Sequence, residues 1–229
     1  MQGVVASLLF GLVAGTCDGA GYLALHRLLT SHITGNLLLL GADWATNQNQ
    51  GVLGRLIAIP VFILWAWLVR LAAGKLHRHG LPALRAMLLA MVALLALFLL
   101  LGMTIGPFPS QDAPNNLIVG MTGVAAMATL NIVARLWPDL AAGTTAMTGN
   151  AVKMAMDLAE LVIGEHEKES ELLYDSGRLG LTVLAFVGGC ALAALVYWKA
   201  GTWCTALPLV FAVAMTALWP DEQRLQEKR

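Results

Sequence analysis

Charged residues are scarce in this sequence. They make up 12% of its 229 residues, whereas soluble globular domains contain roughly 25%. Hydrophobic residues make up 58%, and the mean hydropathy is +0.72. This composition argues against a soluble fold and predicts an all-α, polytopic membrane protein that has the lipid bilayer as its main partner.

Cysteine is also scarce, and familiar catalytic motifs are lacking. Cys17, Cys190 and Cys204 have no paired spacing, which excludes a disulfide framework and a cysteine zinc site. There is no His-Glu-x-x-His motif and no Gly-x-Ser-x-Gly turn. We therefore expect no enzymatic activity, no cofactor and no metal. Fourteen acidic and fourteen basic residues balance, so nothing in the net charge indicates a nucleic-acid partner.

Long apolar segments fill most of the chain. A spanning helix needs about 20 apolar residues, and six segments approach this length, near 3–25, 52–73, 84–106, 116–136, 178–197 and 203–219. Two shorter apolar stretches, 34–45 and 148–163, could be half-helices that re-enter the membrane. The sequence thus predicts about six transmembrane helices and two short ones.

Basic residues predict the orientation, because short loops rich in Lys and Arg remain in the cytoplasm. The loop from Pro107 to Asn115 has none. Basic residues flank the loop between the second and third segments, namely Arg70, Lys75, Arg78 and Arg85. The tail contains a second basic group, Arg224, Lys228 and Arg229. Six crossings place both groups on one side, so we expect both termini in the cytoplasm.

One short motif occurs twice. Thr34-Gly35-Asn36 recurs as Thr148-Gly149-Asn150, and an aspartate follows each asparagine at the same distance, Asp43 and Asp157. On a helix this spacing puts the asparagine and the aspartate on one face. The repeated motif predicts that the chain consists of two related halves.

The predicted halves are 1–108 and 114–220, followed by a cytoplasmic tail, 221–229. Asp18 in the first half corresponds to Asn131 in the second, with one residue of slippage. Three crossings per half is an odd number, so the second half must be inverted relative to the first. Inverted repeats with interrupted helices are typical of secondary transporters, whose substrate site lies at the repeat interface.

The residues from Gly15 to Tyr22, the Thr34-Gly35-Asn36 turn and Gly41 resemble the signature of the YoaK-like family of bacterial inner-membrane proteins. Asp18 and Tyr22 stand where that family has an aspartate and an aromatic residue. The resemblance implies the family's fold and an inner-membrane location, and it names no substrate. Where the family often has an aromatic or aliphatic residue, this chain has His32, whose role stays open.

Asp18 lies midway along the first apolar segment, where an ionised carboxylate costs roughly 2.5–3.5 kcal/mol or more. Such a group either binds a solute or a proton, or is held by backbone donors of the neighbouring turn. The glycines Gly11, Gly15 and Gly19 also have two interpretations, close helix packing or, with Gly21, unwinding of the helix around a solute.

The two Thr-Gly-Asn turns also leave two interpretations open. Each threonine could simply cap a short helix, or the helix amino termini could present free amides to a polar solute. We predict a substrate-binding set from both halves, consisting of Asp18, Tyr22, Thr34, Gly35, Asn36, Asn131, Thr148, Gly149 and Asn150.

These features favour a small secondary transporter or channel for a small polar or anionic solute. One alternative is a membrane-embedded enzyme acting on lipid or peptide, for which Cys17 is the only candidate nucleophile. Another is a non-transporting interaction subunit. A chain of this size could also pair with itself to enclose a path, so a homodimer is a further expectation.

Overall fold

The computed structural model describes residues 2–47, 51–106, 112–138, 147–164 and 169–218. Within these ranges the chain forms α-helices without strands. They are α1 (Gln2–Ala24), α2 (Gly35–Ala45), α3 (Val52–Arg78), α4 (Ala83–Ile105), α5 (Pro114–Leu136), α6 (Met147–Ile163), α7 (Glu169–Ala200) and α8 (Ala206–Leu218). Each predicted segment, long or short, is confirmed as a helix. The predicted tail, 221–229, lies outside the described residues.

Five described segments are long and apolar enough to cross a membrane. They are Gly3–Ala24, Val52–Arg78, Ala83–Ile105, Pro114–Leu136 and Glu169–Leu218. The chain is therefore a multi-pass membrane protein. The last segment contains both α7 and α8, which the sequence separates into two predicted crossings.

The break between α7 and α8 is a short 3-10 turn, Gly201–Thr205, which starts at a left-handed glycine with a φ of +58°. Thr205 lies beside Gly102, near the end of α4. Further along α8, Met215 packs in the same apolar cluster as Phe10 of α1. Helix α8 thus runs back along the bundle from the end at which α7 stops.

Helices α1 and α7 run parallel and make the tightest contact in the bundle. Gly3 lies beside Tyr174 near the start of both helices, and Gly19 lies beside Ala193 further along both. A Cβ atom at Gly15 would collide with the backbone carbonyl of Phe186. Only glycine permits this approach, so the packing interpretation of the glycine face is confirmed.

The other interpretation, local unwinding of α1, is wrong. Helix α1 continues without a break from Gln2 to Ala24, through Gly19 and Gly21. The interruption of the chain comes later, in the connection between α1 and α2.

The packing partners of the helices follow a pattern. Several contacts of the first four helices have counterparts among those of the last four. The contact of α1 with α7 corresponds to that of α5 with α3, and the contact of α4 with α5 corresponds to that of α8 with α1. In the same way, α2 packs on α3 and α6 packs on α7. Helices α3 and α5 are parallel, because Gly54 lies near Leu117 and the Trp65 indole donates to Thr129 Oγ1 at 3.1 Å. If α1, α2, α3 and α4 are exchanged for α5, α6, α7 and α8 in that order, this set of helix pairs is unchanged.

The two short helices bury little but polar side chains. In α2 the buried residues are Asn36 and Asp43, and in α6 they are Asn150 and Asp157. The prediction that each pair shares one face is confirmed. Apolar side chains such as Trp44 lie on the exposed side of α2, so these helices turn their polar face inward, as expected in lipid.

Candidate functional site

The chain reverses direction directly after α1. His26 and Arg27 have φ values of 55° and 69°, a left-handed conformation that non-glycine residues seldom adopt. The following residues then run back beside α1. A Cβ atom at Gly21 would lie 2.6 Å from the carbonyl oxygen of Leu28. Gly21 is therefore needed for this return path.

The returning loop is held by Asp18, which is only 2% exposed. Its Oδ1 accepts hydrogen bonds from the Thr30 amide at 2.8 Å, the Thr30 hydroxyl at 3.0 Å and the Ser31 amide at 2.6 Å. Its Oδ2 accepts from the His32 amide at 3.2 Å and lies 2.6 Å from His32 Nδ1. This geometry favours the structural role of Asp18, because its oxygens are already occupied by donors from one loop.

Asn36 holds the other side of the same loop. Its side-chain oxygen accepts from the Leu29 amide at 3.0 Å, and its side-chain nitrogen donates to the Leu29 carbonyl at 2.8 Å. Thr34 stands at the N-cap position of α2 but makes no side-chain cap hydrogen bond. The capping interpretation is therefore not supported for Thr34, and Asn36 is the residue that stabilises the turn.

The first amides of α2 are not available to a solute. Those of Gly35, Asn36 and Leu37 donate to the carbonyls three residues earlier, at 2.9–3.1 Å. The interpretation in which free amides at this helix end bind an anion is therefore not supported. Any polar contact with a solute here must come from side chains.

Helix α2 returns to the end of the bundle at which α1 stops. Near its end, Asp43 accepts a hydrogen bond from Arg27 at 2.9 Å and another from Arg55 at the start of α3. Eleven residues span about 16 Å, roughly half of the hydrocarbon core. The loop and α2 together form a hairpin that reaches the level of Asp18.

A cavity of about 550 Å³ opens at the deep end of this hairpin. The His32 ring is partly exposed and lies 4.8 Å from the ring of Phe186 on α7, measured between centroids. Because Nδ1 of His32 faces the Asp18 carboxylate, Nε2 is left for other partners. The walls include Asp18, Gly19, Tyr22, Leu29, His32, Gly35, Phe186 and Cys190.

Arg27 connects this cavity to the charged outer end of α2. A side-chain hydrogen bond with Tyr22 and the nearby Asp43 carboxylate raise the pKa of Arg27. The Arg55 hydrogen bond, together with the charges of Arg55 and Arg27, lowers the pKa of Asp43. These shifts favour the charged forms of Arg27 and Asp43.

The predicted residues of the second half lie elsewhere. Thr148 and Gly149 are exposed at the start of α6, Asn150 is buried there, and Asn131 donates to the Met127 carbonyl of its own helix at 3.0 Å. The cavity wall described above contains none of them. The structure thus brings together Asp18, Tyr22 and Gly35, with Thr34 and Asn36 beside them.

Helix α6 ends at the opposite end of the bundle from α2. Met154 contacts Gly180, and Asp157 lies 3.5 Å from the Ser176 hydroxyl, so α6 runs antiparallel to α7. Asp157 also accepts a hydrogen bond from Lys153 at 2.8 Å. The two short helices therefore point in opposite directions.

The family described as "Protein of unknown function (DUF1275)" matches residues 6–218. The chain belongs to this family. The UPF0700 transmembrane protein YoaK of Bacillus subtilis (strain 168) is 24% identical over 209 residues, which cover 90% of each chain. The resemblance to a YoaK-like family is thereby confirmed. No solved structure matches this DUF1275 chain.

Two buried arginines of this DUF1275 chain were missed in the sequence analysis. Arg55 is 1% exposed and Arg178 is 7% exposed. The signal was a second repeated motif, because Gly54-Arg55-Leu56 near the start of α3 recurs as Gly177-Arg178-Leu179 on α7. His32 and Phe186 gave no such signal, since only the folded loop brings them together.

Proposed function

We propose that this protein is a small secondary transporter or channel that moves a small polar or anionic solute across the bacterial inner membrane. The observation that carries the proposal is the hairpin formed by the returning loop and α2, which ends at a cavity beside a buried carboxylate in the last third of the apolar helix α1. Ionisable groups at such depth are costly and usually mark a path for a solute or proton. Hairpins of this kind are typical of transporter sites.

We further propose that 1–108 and 114–220 are inverted repeats with the path at their interface. The exchange pattern of helix contacts supports this, and so do the opposite directions of α2 and α6. In a second conformation, the Thr148-Gly149-Asn150 turn would then take the place beside the path that Thr34-Gly35-Asn36 has here. We also propose six crossings with both termini in the cytoplasm, on the basis of the basic loop.

His32 and Tyr22 are the side chains we propose to contact the solute. Nε2 of His32 can accept a hydrogen bond, or donate one to an anion when the ring is protonated. Tyr22 is 39% exposed and presents a phenol. Asp18 positions the His32 ring and the loop without having to touch the solute itself.

The enzyme alternative receives no support from its candidate nucleophile. Cys17 is completely buried, whereas a nucleophile must reach its substrate. We therefore keep transport as the proposal, without a catalytic residue.

The test is solute flux in proteoliposomes with the His32→Gln variant. We expect it to lose most of the flux of any transported small anion or polar solute while remaining folded, because the loop amides still bind Asp18. His79→Gln is the matched control, since His79 is exposed at the end of α3 and its loss should leave flux unchanged.

A second measurement in the same sample uses Cys190, a wall residue of the cavity, whereas Cys17 and Cys204 are fully buried. A transported solute should slow the labelling of Cys190 by a small thiol reagent. If no solute of a broad panel crosses the membrane or protects Cys190, the transport proposal is wrong.

A further inference from the structure

Arg55 is a fully buried arginine in which two of the three guanidinium nitrogens have no hydrogen-bond partner among the described residues. Its Nη1 donates to Asp43. Its Nε and Nη2 are both buried and have no hydrogen-bond partner in the described part of the chain. A buried donor without an acceptor costs free energy, and more so when the group carries a charge. This edge of the guanidinium is therefore aimed at an acceptor that the described residues do not supply.

The charges around Arg55 are also unbalanced. Among the residues that the structure describes, Asp43 is the one carboxylate that pairs with both Arg27 and Arg55, so this cluster has two positive charges and one negative charge. Asp112, the carboxylate near the start of α3, is engaged by the amides of Gly51, Leu53 and Gly54. One further negative charge would complete the Arg27–Asp43–Arg55 cluster.

We infer that the Nε–Nη2 edge of Arg55 binds an oxyanion, either a free phosphate-type ion or the phosphate of a lipid headgroup. The planar edge of a guanidinium offers two parallel N–H groups, the geometry that matches two oxygens of a phosphate. This site is distinct from the cavity, whose walls do not include Arg55. It does not depend on whether the protein transports a solute.

Access to this edge requires a small movement of α2. That helix is buried mainly through Asn36 and Asp43, and its packing is chiefly against α3. Because few side chains must separate, an outward shift of α2 would open the surroundings of Arg55 while Asn36 still holds the loop.

The test measures the thermal stability of the purified full-length chain in detergent against inorganic phosphate, at constant ionic strength with chloride as the reference. A ligand raises the midpoint only if it binds the folded state. We expect a saturable rise for the unmodified chain and binding weaker by about tenfold or more in Arg55→Lys, which keeps the charge but loses the planar edge. Arg70→Lys, on an exposed part of α3, should bind as the unmodified chain does.

Lipid dependence identifies the source of the phosphate. A stability gain in nanodiscs containing phosphatidylglycerol over nanodiscs of a phosphate-free glycolipid, lost in Arg55→Lys, would assign a lipid headgroup. A gain from inorganic phosphate alone would assign a free ion. Absence of both effects, or equal effects in Arg55→Lys, would overturn the inference.

A second variant keeps the test decisive if Arg55→Lys does not fold. Asp43→Asn removes the negative charge that competes for Arg55, so it should strengthen phosphate binding. Unchanged or weaker phosphate binding in a folded Asp43→Asn protein would contradict an oxyanion site at Arg55.

Discussion

Replacing Asp18 by asparagine should release the loop that returns beside α1. Asparagine keeps one oxygen for the donors of Thr30 and Ser31, but puts an amide where Oδ2 accepts from the His32 amide and faces Nδ1. Hydrogen bonds to a charged group contribute about 1.5–3 kcal/mol each, so losing two gives about 3–6 kcal/mol. The His32 ring can recover one by changing tautomer, which favours the lower end, about 3 kcal/mol.

Hydrogen–deuterium exchange of the loop amides is the assay for this change. A local loss of about 3 kcal/mol accelerates exchange at residues 30–32 by about 100-fold. The matched control is Asp175→Asn, because Asp175 has a 42% exposed side chain and only a 3.9 Å contact with Arg178. Loop exchange that is the same in Asp18→Asn and the unmodified chain would refute the reasoning that Asp18 anchors the loop.

Two further predictions concern helix packing and the outer end of α2. Gly15→Ala should destabilise the protein by about 1–3 kcal/mol, because its Cβ meets the backbone of Phe186, which cannot rotate away. Gly188→Ala, with nothing within 4 Å of its Cβ, should be neutral or stabilising, and equal thermal midpoints for the two variants would contradict the packing. Asp43 lies outside the five candidate membrane segments, and its pKa is lowered by Arg55 and Arg27. Its stabilising effect should therefore persist above the ordinary carboxyl pKa and disappear only as pH falls through the lowered value. The difference in midpoint between the unmodified chain and Asp43→Asn should stay constant from pH 7 to about 4, and a difference that shrinks already near pH 6 would count against the ion pair.

The helices were predictable because lipid imposes a simple rule on sequence. Each segment must satisfy its own backbone hydrogen bonds, so length and hydropathy alone identified the spans. The two short helices, α2 and α6, were predictable too, because Thr34-Gly35-Asn36 and its copy lie at their starts. The last predicted crossing is less regular, since Gly201 ends α7 and a 3-10 turn precedes α8.

The interior of the site was less predictable. Asp18 was identified by its depth, but its partners are backbone amides of residues 30–32, and backbone groups leave no trace in composition. The placement of His32 beside Phe186 depends on α7 lying along α1, a contact between distant parts of the chain. The buried Arg55 was not identified from the sequence, although the Gly-Arg-Leu motif that contains it occurs a second time at Gly177-Arg178-Leu179.

The parallel contact between α1 and α7 has a consequence for biosynthesis. Helix α1 is synthesised well before α7, its main partner, and its glycine face and Asp18 are buried only in the folded bundle. Until α7 arrives, that face must rest against lipid or against the insertion machinery. The packing of α1 is therefore completed late in synthesis. A chain truncated before α7 would keep α1 in the membrane without the helix that covers its glycine face.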